Sequence, residues 1–98
     1  MRPIHPGEVL REEFLDPLGM TAHALAQALR VPAPRVNDLV RERRRVTPDT
    51  ALRLARYFDT SPQFWLNLQA SYDLKIALRA AGKRIEREVE PRGPRELT

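Results

Sequence analysis

Residues 21–45 read TAHALAQALRVPAPRVNDLVRERRR, and this stretch decides the fold. Thr21 is a hydroxyl residue of the kind that caps a helix by accepting an amide hydrogen from its first turn. Met20 before it and Leu25 after it are placed for a hydrophobic staple. Leu25, Ala26 and Leu29 recur at helical spacing, which predicts a helix over residues 22–29 with those side chains inward. Only Arg30, Val31 and Pro32 separate it from a second helix, predicted from near Ala33 to near Arg41. Pro32 and Pro34 lie around its first turn, where a missing N–H costs little. Val36, Leu39 and Val40 form its inner stripe.

Ala26 is small where the two helices must cross closely, and Val31 plugs the turn between them. Two short helices locked at a steep angle in this way make a helix-turn-helix, whose second member is free to present its outer side to a groove. At about 100° per residue, Pro34, Asp38 and Arg41 fall opposite Val36, with Arg35 and Asn37 on the flanks. The charge distribution points to the same face. The chain has 98 residues, 17 basic and 13 acidic, a net charge of +4. Residues 30–45 hold six arginines against Asp38 and Glu42, so this one segment carries the whole surplus and the rest is balanced. Cations beside a short polar reading surface are what a DNA duplex requires, for its phosphates and its base edges respectively.

Working outward, the pattern gives an all-α fold of five helices. The first spans residues 6–15: Pro6 fixes φ at its first turn, His5 helps start it, Val9, Leu10 and Phe14 share an inner face, and Pro17 is expected to stop it. The fourth starts at Pro48 behind Thr47 and buries Ala51, Leu54, Ala55 and Phe58. The fifth starts at Pro62 behind Ser61 and is expected to run to about Ala81, with Gly82 as its stop. Residues 1–82 thus read as one helix-turn-helix domain with an extended C-terminal helix, and residues 83–98 as a flexible charged tail.

Other chemistry finds little support. With no cysteine, neither a disulfide framework nor a thiolate metal site is possible. His5 and His23 lack a partner at metal spacing, and His23 is expected to be exposed. Ser61 and Ser71 have no base in a recognisable arrangement, and no glycine-rich phosphate loop occurs. The expectation is a protein that is not an enzyme and carries no cofactor or metal. No run approaches the ~18 apolar residues of a membrane span, and residues 1–6 lack the apolar stretch of a signal peptide. A cytoplasmic protein without a membrane partner is expected.

The segments HPGEVLREEFLDPLGMT, ALAQALRVP, RVNDLVRERRRVTPDTALRLARYF and TSPQFWLNLQASYDL resemble the Cro/phage-repressor (XRE) helix-turn-helix family. More narrowly they resemble HigA-type antitoxins, with SPQFWLNLQ the most specific part. The likeness spans about residues 5–74. It implies a lambda repressor-like all-α dimer that binds double-stranded operator DNA. It also implies a DNA-binding antitoxin of a type II toxin–antitoxin system, which blocks a HigB-like toxin, an mRNA-cleaving ribonuclease, and represses its own operon. A stand-alone XRE-type repressor without a toxin, or an interaction module that has lost DNA binding, are the alternatives.

In the family pattern the base-reading positions fall on Ala33, Pro34, Asn37 and Asp38. Ala33 and Pro34 suit a thymine methyl, and Asn37 suits adenine. Asp38 has two readings: it accepts from a cytosine amino group, or it pairs with Arg35 or Arg41 and orients a reading arginine. Arg35 suits guanine or phosphate, and Arg41 lies on the same outer face. Arg43, Arg44 and Arg45 are backbone clamps, as are the amides at Thr21 and Ala22. Many relatives have glycine where Arg30 and Glu42 stand here. Non-glycine residues at φ > 0 are uncommon, so one or both turns are expected to be reshaped.

The fifth helix carries more apolar surface than one core needs. Phe64, Trp65, Leu68, Tyr72 and Ile76 form one face, and Leu66, Ala70, Leu74 and Ala77 another. A helix apolar on both sides must be covered on both. The second face is expected to make a two-fold homodimer or to meet the toxin. A symmetric dimer sets two recognition helices ~34 Å apart. The competing arrangement is a core helix wrapped by the N-terminus and tail.

Overall fold

Helix α1 begins where Nδ1 of the buried His5 accepts the Gly7 amide hydrogen at 2.9 Å, with Pro6 at the first helical position. The computed structural model describes residues 2–93. Helix α1 has three consecutive pieces: Pro6–Val9, a π-helical turn Leu10–Leu15, and Asp16–Leu18. Pro17 does not stop the helix as expected. A proline ring collides with the carbonyl four residues back in a regular helix. The wider turn, in which Asp16 N–H donates to the Arg11 carbonyl, relieves that conflict. The stop comes at Gly19, in the left-handed conformation at φ 61°.

Four more helices follow: α2 over Ala22–Leu29, α3 over Ala33–Val40, α4 over Pro48–Phe58 and α5 over Pro62–Glu88. The capping residues Thr21, Thr47 and Ser61 each accept an amide hydrogen from the first turn of the helix they precede. The described residues contain no strand, and the five-helix architecture agrees with the all-α reading.

Helices α1 to α4 all end in the same way. Each is followed by a left-handed residue: Gly19, Arg30, Glu42 and Asp59. The next amide donates to a carbonyl five residues back: Met20 to Leu15, Val31 to Ala26, Arg43 to Asp38 and Thr60 to Ala55. This is the Schellman arrangement, which glycine usually closes. The reshaping expected at Arg30 and Glu42 does not occur: both keep the left-handed geometry, at φ 62° and 63°. Hydrogen bonds to two orphan carbonyls, and at Arg30 the packing of Val31 on the core, outweigh the backbone strain.

The core joins Leu10, Leu25, Ala26, Val36, Leu39, Leu54 and Trp65. Helix α3 is seated directly on α1: a β-carbon at Gly7 would lie 1.8 Å from the Leu39 carbonyl oxygen. Trp65 is fully buried, its Nε1–H donating to Thr60 Oγ1 at 2.8 Å, and it lies against Phe14. Tyr72 meets His5 edge-on at 4.8 Å, and beyond it α5 leaves the body. Ile76, expected on the inner face, is therefore exposed. Gly82 does not end α5. Ala80, Ala81 and the charged residues around Gly82 are good helix formers, and the helix continues to Glu88. Residues 83–88 of the expected tail are thus helical, and residues 94–98 lie outside the described residues.

Candidate nucleic-acid interface

Helix α3 turns Val36 and Leu39 into the core and leaves Pro34 and Arg41 exposed, with Arg35, Asn37 and Asp38 half-buried on its outer side and flanks. Ala33 is half-buried and packs against the core. At the start of α2, Thr21 Oγ1 takes the Ala24 amide at 3.0 Å. The earlier amides, from Ala22 on, have no partner inside the helix and face outward, as at any helix start.

Arg43, Arg44 and Arg45 are exposed in the segment between α3 and α4. Arg35, Arg44 and Arg45 meet Thr47, Asp49 and Thr50 around a cleft of about 210 Å³. Arg35 and Asp38 of α3 are therefore brought together with Arg44 and Arg45, although the carboxylate partners differ from expectation. Asp38 pairs with Arg44 at 3.4 Å, not with Arg35 or Arg41. The turn at Glu42 folds the chain back and brings Arg44 within reach, while Asp49 at the start of α4 draws Arg35 away to 2.7 Å. Arg53, also bonded to Asp49, and then Arg35 hold the Asp49 carboxyl below the usual carboxylate range. Among the described residues, the side chains of Arg30, Arg41 and Arg43 hold no ion pair.

Sequence reasoning missed the residues that hold this surface in place. Gln69 is only 4% exposed. Its Oε1 accepts the Val46 amide hydrogen at 2.7 Å, and its Nε2 donates to Asp73 Oδ1 at 2.9 Å. Asp73 Oδ2 receives Arg45 at 2.8 Å. That bond, followed by the Gln69 bond, keeps the Asp73 carboxyl below its usual range. The available signal was a polar side chain one helical turn after Trp65, on the buried stripe of α5, where it must find partners. Arg11 likewise donates to the Val40 carbonyl and pairs with Glu42 at 3.4 Å, tying α1 to the end of α3.

The four residues of the expected second face of α5 differ in exposure. Leu66 packs against the core. Ala70 and Ala77 are exposed, and Leu74 is 61% exposed. Further on, Leu78 and Ile85 are 58% and 49% exposed. Leu74, Leu78, Ala81 and Ile85 alternate by four and three residues, the spacing of a coiled-coil seam. His23 is exposed as expected. Among the described residues no group of three or more His, Cys, Asp or Glu is placed to hold a metal ion. No helix among them is long and apolar enough to cross a membrane.

A helix-turn-helix family model matches residues 10–65, more than half of the chain. The chain belongs to that family, in its Cro/phage-repressor (XRE-type) form. Within the family its likeness is to HigA antitoxins. The Pseudomonas aeruginosa antitoxin HigA, solved with the higBA promoter, is 59% identical with a TM-score of 0.91, over 93% of this chain and 99% of that one. A HigA-family addiction-module antidote protein from Coxiella burnetii is 54% identical with a TM-score of 0.89, over 93% and 99%. Virulence-associated protein I of Dichelobacter nodosus is 61% identical over 77 residues, 79% of this chain and 71% of that protein.

Proposed function

We propose that this chain is a cytoplasmic, operator-binding antitoxin that acts as a homodimer, represses its own operon and neutralises a HigB-like mRNA-cleaving toxin. The observation that carries the reading is the coincidence of an outward-facing α3 with the chain's entire positive surplus. In this reading α3 enters the major groove, where Ala33 and Pro34 touch thymine methyls, and Asn37 and Asp38 meet base edges. Arg35 and Arg41 flank them. Arg43, Arg44, Arg45 and the amides at Thr21 and Ala22 grip phosphates. The exposed seam of α5, with Ala70, Leu74 and Ala77, meets a second copy and spaces two α3 helices about one DNA turn apart, ~34 Å. Promoter DNA with the Pseudomonas HigA supports the nucleic-acid partner. The toxin partner is supported by the antitoxin names of the relatives.

The test has two arms. The first is a gel shift of the protein on the DNA upstream of its own gene, against a scrambled duplex. The second is co-expression with the product of a neighbouring toxin-sized gene. Retarded operator and restored growth are expected. Operator binding without rescue leaves the stand-alone repressor, and no preference for the upstream DNA overturns the reading.

A further inference from the structure

The segment between α3 and α4 carries the phosphate-gripping arginines but no regular structure of its own. Its first residues are held by the Arg43 amide bond to the Asp38 carbonyl and the Arg44–Asp38 pair, while the hydrogen bonds at its far end, Arg45–Val46, trace to two residues one turn apart on α5. Gln69 takes the Val46 amide, Asp73 takes the Arg45 guanidinium, and Gln69 donates to Asp73, closing a ring around the Arg45–Val46 dipeptide. The two arms differ in character. Gln69 is buried and uses both ends of its amide, so its bond to Val46 is shielded from water. The Arg45–Asp73 pair is exposed, so alone it is weak, and it gains direction from the Gln69 bond that fixes Asp73. Val46 itself is buried, which leaves its amide no water to turn to.

We propose that Gln69 and Asp73 are positioning residues for DNA binding: they clamp the Arg45–Val46 segment to α5, so the C-terminal helix sets the pose of the phosphate-gripping arginines. This rests on the operator-binding reading above. It adds that residues remote from the reading helix decide how well the duplex is held. Leu74 of the apolar seam follows Asp73 directly in the chain, so the helix that meets the second copy also carries the clamp.

The test uses the full chain with Gln69→Met, of matched size without polar ends, and Asp73→Asn, alone and with Arg45→Ala. Gln69→Met is expected to speed exchange of the Val46 amide at least tenfold while the amides of α1 and α2 keep their protection. Operator affinity is expected to fall about tenfold, and affinity for a scrambled duplex by a similar factor, because the displaced arginine grips phosphate. Asp73→Asn is expected to weaken operator binding about threefold, and to have no effect once Arg45 is alanine, because it acts through that residue. Uniform loss of protection across all helices in Gln69→Met would mark Gln69 as merely structural. Unchanged operator affinity despite a freed Val46 amide, or tighter binding by Asp73→Asn, overturns the clamp. If the wild-type protein ignores its operator, the operator reading fails, and amide exchange still reports whether the ring holds the segment.

Discussion

The two halves of α5 share one continuous helix and meet opposite fates. From Ser61 to Tyr72 the helix is capped, its Trp65 and Gln69 are buried, and its last ring rests on His5. From Asp73 onward Leu74, Leu78 and Ile85 lie about half exposed or more. Both halves carry apolar residues, but all eight charged residues of the helix lie from Asp73 onward. Position decides what becomes of the apolar ones: α1 and α4 pack on the first half, while among the described residues Leu74, Leu78 and Ile85 of the second stay largely uncovered. An isolated helical stretch is marginal in water even with good helix formers, so the outer half draws on whatever covers its seam.

The largest effect is expected at that seam. In a symmetric dimer Leu78→Glu is met twice, and losing two buried leucines removes about 3–6 kcal/mol of dimer affinity. Sedimentation should then find a monomer with the fold of the body intact; a persisting dimer places the interface elsewhere. Next comes the inner half. Trp65→Ala empties the centre of the core and is expected to cost about 3–5 kcal/mol per chain, seen in urea unfolding. A loss no larger than that of an exposed leucine would erase the contrast between the halves. Glu42→Gly probes the strain that the body carries in its turns. Left-handed non-glycine residues cost on the order of 1 kcal/mol or more, partly offset by the greater freedom of unfolded glycine. A net gain of about 0.5–1 kcal/mol is therefore expected, provided that losing the Arg11–Glu42 pair costs little.

The smallest effect sits at the boundary, where His5 meets Tyr72. Burial pushes the His5 imidazole below the ordinary histidine range, against the opposing pull of Glu42 and Asp73. The unfolded chain then binds that proton more readily than the folded one. Stability from this group is complete above about pH 6.5 and declines as pH falls below it. Protonation also removes the Nδ1 acceptor that caps α1. His5→Asn, which can still cap, should flatten the fall in unfolding midpoint between about pH 7 and pH 5; an unaltered slope assigns it to another group.

What was legible in the sequence was local. A hydroxyl followed by proline starts a helix whatever surrounds it, so α4 and α5 begin where expected, and the stripe of Val36 and Leu39 fixes which side of α3 faces out. What was illegible depended on distant parts of the chain. Pro17 stops a regular helix but not one that widens before it. Arg30 and Glu42 sit in turns that glycine favours because hydrogen bonds to the preceding helix hold them there. Asp38 finds Arg44 only after the turn folds back, and Gln69 meets Val46 across 23 residues.

The bare approach of Gly7 to the Leu39 carbonyl has an engineering consequence. Backbone rests on backbone there, with no side chain between that could be lengthened or trimmed to tilt α3 at that contact. Moving α3 against α1 at this contact would therefore require a change of backbone, whereas the outer rim of α3, with Pro34 and Arg41 exposed, is open to substitution.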